Sequence, residues 1–342
     1  MTLKTYTVLL VALLALGVTG CSDEGDDSMM DTTSTTDSTS NSDTGHDSSA
    51  TDTTTTMPPS SDTEPTTTEA MVIEDLPYAD LSDAQKMDLY LPEGAGPFPV
   101  VVLIHGGGFF TGDKQAHDSN AQHLAANGIV AASINYRLSG EAPFPAAVHD
   151  CKTAVRFLRA HASMYRIDPE RVGSWGDSAG ANLASMLGTS HGDAYVEGAE
   201  LGHADWSSQV HATVSQFAPI DFLTMDEQAA ELGFTINTDG TSSPESRYMG
   251  FAIQSNPDEV ARANPTTYLD TNDAAFLVQA GSADPLIPYT QSENFSQALL
   301  AELGPERVSF DLFEGAGHGG GAFNSDENLA RIIGFFERHL GP

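Results

Sequence analysis

The sequence predicts an α/β fold: a mostly parallel central sheet with helices on both faces and a small cap or lid beside one end of it. Three observations predict this. From residue 71 onward, short β-branched runs alternate with stretches of helical period. Several of the runs are continuously apolar, as strands buried on both faces are. Finally, Gly176-Asp177-Ser178-Ala179-Gly180 stands between one such run and an apolar helical stretch, so it marks a sharp strand-to-helix turn.

In chain order, residues 86–91 alternate around Met87, Leu89 and Leu91, which predicts a half-buried strand. The run PVVVLI at 99–104 predicts a strand buried on both faces. Residues 117–127 read as a helix stopped by Gly128, and 129–134 as the next buried strand. Within 145–161, Val148, Cys151, Val155 and Leu158 recur at helical spacing and form one apolar face. Cys151 therefore reads as a small core residue rather than a reactive thiol. A strand at 171–175 leads into the turn, and a helix at 179–187 leaves it. Strands at 211–217, 276–280 and 307–313 and helices at 289–303 and 325–340 complete the alternation. Residues 223–272 are too many for a plain loop and predict a small lid with short helices.

The chain has 342 residues and a net charge of −34, which argues against nucleic acid or an anionic membrane surface as partner. The acid is unevenly placed. Residues 22–70 hold twelve Asp and Glu, no Lys or Arg, and otherwise mostly Ser and Thr. Such a segment cannot bury enough apolar surface to offset chain entropy, so 21–70 is expected to be a disordered tether. Residues 1–20 carry Lys4 and an apolar run at 8–18, too short to span a bilayer. They end in Val18-Thr19-Gly20-Cys21, which looks like a lipobox. The expectation is a lipoprotein signal peptide, lipidation at Cys21, and export to the bacterial cell envelope with the membrane touched by the lipid anchor only. Ser22 after the cysteine points to the outer membrane if the source is Gram-negative. Cys151 would then lack an intramolecular partner, which excludes a disulfide framework.

Residues 71–342 hold the pieces of a nucleophilic site. On a strand-to-helix turn, Ser178 would expose its Oγ above the sheet, and the next N–H, that of Ala179, would face an oxyanion. His105-Gly106-Gly107-Gly108 follows a buried strand, and its glycines free the N–H groups of Gly107 and Gly108 for the same task. Asp284, in Gly281-Ser282-Ala283-Asp284-Pro285, follows the strand at 276–280, where open α/β sheets build sites. Asp270 and Asp273 precede that strand, at the wrong end. Of the eleven histidines only His318 and His339 follow Asp284. His318 lies in a glycine-rich loop that looks mobile and suits an imidazole reaching across to a serine. His339 sits in the last helix, where a cation near a helix end explains it. The order Ser178, Asp284, His318 assigns nucleophile, orienting acid and base. Neither metal-ligand spacing nor a nucleotide-binding loop is present, so no metal or cofactor is expected.

Together HGGGFFTGDK (105–114), DPERVGSWGDSAGANLA (168–184), SPESRYMG (243–250), NPTTYL (264–269), GSADPLIP (281–288) and GAGHGG (315–320) resemble the BD-FAE group of α/β-hydrolases. These are bifunctional feruloyl and acetyl xylan esterases among the carbohydrate esterases. The resemblance implies an α/β-hydrolase fold and a serine carboxylesterase acting on short-chain acyl esters, commonly acetyl groups of plant polysaccharide. It carries the triad and the oxyanion hole onto Ser178, Asp284, His318, Gly107, Gly108 and Ala179, and makes Arg137 and Asp150 framework charges. Asp177-Ser178-Ala179-Gly180 also resembles hormone-sensitive-lipase-type esterases. Those carry an N-terminal helical cap, for which the roughly 30 ordered-looking residues before His105 leave little room. An amidase or peptidase would use the same triad. A surface binding protein that kept the fold is the rival from another class, and the intact Ser178, Asp284 and His318 speak against it.

Overall fold

A computed structural model of the chain describes residues 69–341. The expected signal peptide, Cys21 and the tether up to residue 68 lie outside the described residues. The strands are β1 Met71–Pro77, β2 Lys86–Leu91, β3 Phe98–Ile104, β4 Val130–Ile134, β5 Ile167–Asp177, β6 Ala212–Gln216, β7 Ala275–Gly281 and β8 Val308–Phe313. The helices are α1 Asp118–Ala126, α2 Ala146–Ala160, α3 Ala179–Thr189, α4 Ala194–Glu197, α5 Met225–Glu231, α6 Pro244–Met249, α7 Pro257–Val260, α8 Tyr289–Leu303 and α9 Asp326–Leu340. The eight strands form one sheet in the order β1-β2-β4-β3-β5-β6-β7-β8. The β1–β2 and β2–β4 pairs are antiparallel and every other pair is parallel.

The continuous apolar run of β3 is explained by its two faces. Val100, Val102 and Ile104 pack with side chains of α2, α3 and α8, while Val101 and Leu103 pack with α1 and α9. Each such fully buried side chain contributes roughly 1.5–3 kcal/mol, so a strand of this kind ties two helical layers together. Cys151 lies wholly inside the first layer, as its place on the apolar face of α2 predicts. Asp150 on the same helix is also fully buried and holds Arg137 through its backbone N–H, Nε and Nη2.

Two expectations need correction. β2 is buried on both faces rather than half-buried. Its odd-numbered face joins the α2–α3 layer, while on the other face the carboxylate of Asp88 meets Lys114 Nζ at 2.9 Å and Tyr90 donates to Asp118 Oδ1 at 2.8 Å. Alternation of polar residues here reflects paired polar groups and not solvent. His339 lies 4.8 Å from the Phe335 ring, and burial, joined by the charges of Arg338 and Arg307, holds its pKa below the ordinary histidine value. It acts as a packing partner rather than a helix-end cation.

Topology places the site. The chain runs from β3 out to β4 and then returns past β3 to β5, so the direction of winding reverses between β3 and β5. Open α/β sheets form their crevice at such a point, beyond the carboxyl ends of the strands. The pairing of Ile104 with Gly176 sets those two ends level. Gly180 lets α3 close against β3: a Cβ there would lie 2.0 Å from the Ile104 carbonyl oxygen.

Candidate active site

β5 ends at Asp177, and Ser178 takes φ 53° and ψ −123° before α3 begins. A non-glycine residue in that region is strained and persists only when its surroundings hold it. Here the Ser178 N–H donates to the Gln216 carbonyl at 2.9 Å, and its carbonyl accepts from the Ala181 N–H at 3.0 Å. The strain turns Oγ out of the sheet toward His318, whose Nε2 lies 2.9 Å away. On the other side of the ring, Nδ1 lies 2.7 Å from Asp284 Oδ2. Asp284 is almost fully buried, and its second oxygen accepts from the N–H groups of Leu286 at 2.8 Å and Ile287 at 3.0 Å. A carboxylate so placed can only accept from Nδ1. The proton therefore sits on Nδ1, and Nε2 presents its lone pair to the serine.

The loop that carries His318 is pinned rather than mobile. The Ala283 N–H donates to the Ala316 carbonyl at 2.9 Å and the Gly315 N–H to Ser282 Oγ at 2.8 Å. The imidazole stands edge-on to Phe217, with ring centres 4.7 Å apart. Gly315, Gly319 and Gly320 give the loop its positive φ of 75°, 81° and 93°, while Gly281 at the end of β7 lets the loop approach: a Cβ there would lie 2.4 Å from the Ala316 carbonyl oxygen.

The loop after β3 reaches the same place. The Gly106 N–H is taken by Asp177 Oδ1 at 3.2 Å, whereas those of Gly107, Gly108 and Ala179 donate to no acceptor among the described residues. All three of those residues line the cavity in front of Ser178. Gly107 has φ 110°, and a Cβ there would strike the Thr111 carbonyl oxygen at 2.1 Å. No other residue fits. Strand ends, turn and loops thus bring together every residue the sequence marked: Ser178, Asp284, His318, Gly107, Gly108 and Ala179.

Two residues were not foreseen. His117 Nε2 lies 3.0 Å from Asp177 Oδ1, the atom that also holds the Gly106 N–H. Burial pushes the Asp177 carboxyl up, but the His117 contact and the Gly106 N–H outweigh it and hold the pKa below the usual carboxylate range. The second is Glu245, on α6, which lines the cavity. Of the eight acids between 223 and 272, it alone does so. Asp226 is turned to the N–H groups of Thr238 and Asp239, and Glu259 to Tyr195 and Arg262. The acids of this segment are therefore largely directed away from the cavity. The cavity measures about 810 Å³, and its lining includes the apolar Phe217, Met225, Ile236, Leu286 and Phe323.

An eight-stranded, mostly parallel sheet with a strained serine between β5 and α3 defines an α/β-hydrolase fold. The BD-FAE family model matches residues 87–299, more than half of the chain, and the chain belongs to that family. Among solved structures, the bifunctional GH43-CE protein of Bacteroides eggerthii is 37% identical with a TM-score of 0.71, over 79% of this chain and 35% of that one. A truncated form of a carbohydrate esterase from gut microbiota is 27% identical with a TM-score of 0.72, over 80% of this chain and 98% of that one. The probable carboxylic ester hydrolase LipM of Mycobacterium tuberculosis is 26% identical over 281 residues, 78% of this chain. The chain spans 62% of the length of LipM.

Proposed function

We propose that the protein is a serine carboxylesterase that removes short acyl groups, acetyl or feruloyl, from plant polysaccharide. The observation that carries this reading is the hydrogen-bonded chain Ser178–His318–Asp284 opening onto three N–H groups that have no acceptor among the described residues. In the proposed reaction Ser178 Oγ attacks the ester carbonyl carbon while His318 Nε2 takes its proton. The carbonyl oxygen becomes an oxyanion held by the N–H groups of Gly107, Gly108 and Ala179, each such donor being worth about 3 kcal/mol in the transition state. His318 then gives the proton to the departing alcohol oxygen as the tetrahedral carbon collapses to an acyl-serine. Water, deprotonated by the same nitrogen, reverses the sequence and frees the acid. Asp284 keeps the imidazole in the required tautomer and offsets its positive charge in both halves. Family membership supports ester chemistry, and the carbohydrate esterase among its structural neighbours supports a sugar alcohol.

The acyl preference is tested with p-nitrophenyl acetate, butyrate, octanoate and palmitate. The expected order of kcat/KM falls beyond about four carbons, a preference supported by membership of the BD-FAE family and the carbohydrate-esterase neighbour. A rise toward palmitate would favour a lipase instead.

A further inference from the structure

Glu245 is 6% exposed, faces the cavity, and forms no ion pair among the described residues. It stands beside the oxyanion loop: a Cβ on Gly108 would touch the ring of Pro244, its neighbour in sequence, at 3.2 Å. Among the described residues neither Lys nor Arg lines the cavity, so none of their side chains there compensates a carboxylate or welcomes an anionic ligand. The Glu245 carboxyl is hydrogen-bonded only within its own turn, by Ser243 and the backbone, so it keeps acceptor capacity that a group in the cavity can fill. An acetyl group brings no hydrogen-bond donor and fills only a small part of about 810 Å³. The polar partner therefore belongs to the alcohol half, and Asn237 and Thr238 face the same space.

We propose that Glu245 reads the alcohol half of the substrate, accepting a hydrogen bond from a hydroxyl of a neutral sugar and repelling an alcohol that carries a carboxylate. The inference rests on the esterase reading above. Burial raises the Glu245 pKa to about 7, against the opposing effect of backbone and Ser243 hydrogen bonding and with a further push from Asp226 on α5. The other charged or titratable groups around it are occupied. His117 and Asp177 pair with each other, His318 with Asp284, and Arg247, farther along α6, stacks over Phe110. Discrimination against an anionic alcohol thus grows as pH rises through about 7 and Glu245 ionises.

The test uses the full chain and two substrates with one ring, acetylated methyl β-xyloside and acetylated methyl β-glucuronoside, between pH 6 and 8. Both depend equally on Ser178 and His318, so the ratio of their kcat/KM values cancels the shared titration. The expected ratio favours the xyloside and rises with pH. Glu245→Gln, of the same shape, is expected to lower it about tenfold at pH 8 and flatten its slope, while Glu245→Asp keeps the slope. A wild-type ratio near one, a flat wild-type slope, or a slope that survives in a folded Glu245→Gln protein overturns the inference. Cleavage of p-nitrophenyl acetate but of neither sugar ester overturns it and leaves the esterase reading standing. Cleavage of none of the three overturns both.

Discussion

Ser178 carries the chemistry of this account, but its neighbour Asp177 sets the geometry. One carboxylate oxygen receives the Gly106 N–H and faces His117, which fixes the loop whose next two N–H groups point at the cavity. Asp177→Ala frees that loop without removing a donor, so its cost should fall short of losing one donor outright, about 10²- to 10³-fold. We expect kcat for p-nitrophenyl acetate to drop roughly 10- to 100-fold with KM little changed, since the aligned donors matter most in the transition state. An unaltered kcat in a folded variant would remove Asp177 from this role. The serine, the acid, the histidine and the glycines were legible in the sequence because turn, strand-end and glycine-run signals are local. The His117–Asp177 contact was not, because it joins residues far apart in the chain that no local signal links. Glu245 was hidden among seven other acids of the same segment, and only burial separates it from them.

At the level of elements, buried strands announce themselves by short runs of apolar and small residues without charge, and β3, β4, β6 and β7 follow that signal. β1 does not. As an edge strand it is mostly exposed, so MVIEDLP shows no apolar alternation, and only pairing with β2 makes it a strand. The turn into β7 holds a testable stress. Asp273 is buried beside the Asp270 charge, and burial above all lifts its pKa from an ordinary 3.8 to about 7 despite the Asp270 N–H and Arg307. The folded chain therefore keeps a proton that the unfolded chain releases between those values. Stability attributable to this group falls as pH rises across that window, and the loss is complete above about pH 7. Asp273→Asn keeps an acceptor for the Asp270 N–H and removes the charge. It is expected to raise Tm by a few degrees at pH 8, with the gain shrinking toward pH 4. Equal gains at both pH values would show that the charge is not the cause.

Over the whole molecule, one topological fact assembles the site. Reversal of winding between β3 and β5 puts the glycine loop and the strained serine side by side, and the ends of β7 and β8 supply acid and base from farther along the sheet. Residues 223–272 roof the cavity with α5 and α6, through Met225, Ile236 and Glu245 among others. This division of labour suits a scaffold that fixes the reaction and an insertion that selects the substrate. The central claim is that one serine among many is the nucleophile. The most direct test is to treat the full chain with a fluorophosphonate, which bonds covalently to an activated serine, and to locate the adduct by peptide mass mapping. A single adduct on Ser178 is expected, formed in step with loss of p-nitrophenyl acetate hydrolysis and absent from Ser178→Ala, whose kcat falls by roughly 10³-fold or more. An adduct elsewhere that abolishes activity, or a Ser178→Ala protein that keeps a tenth of wild-type hydrolysis, would contradict it.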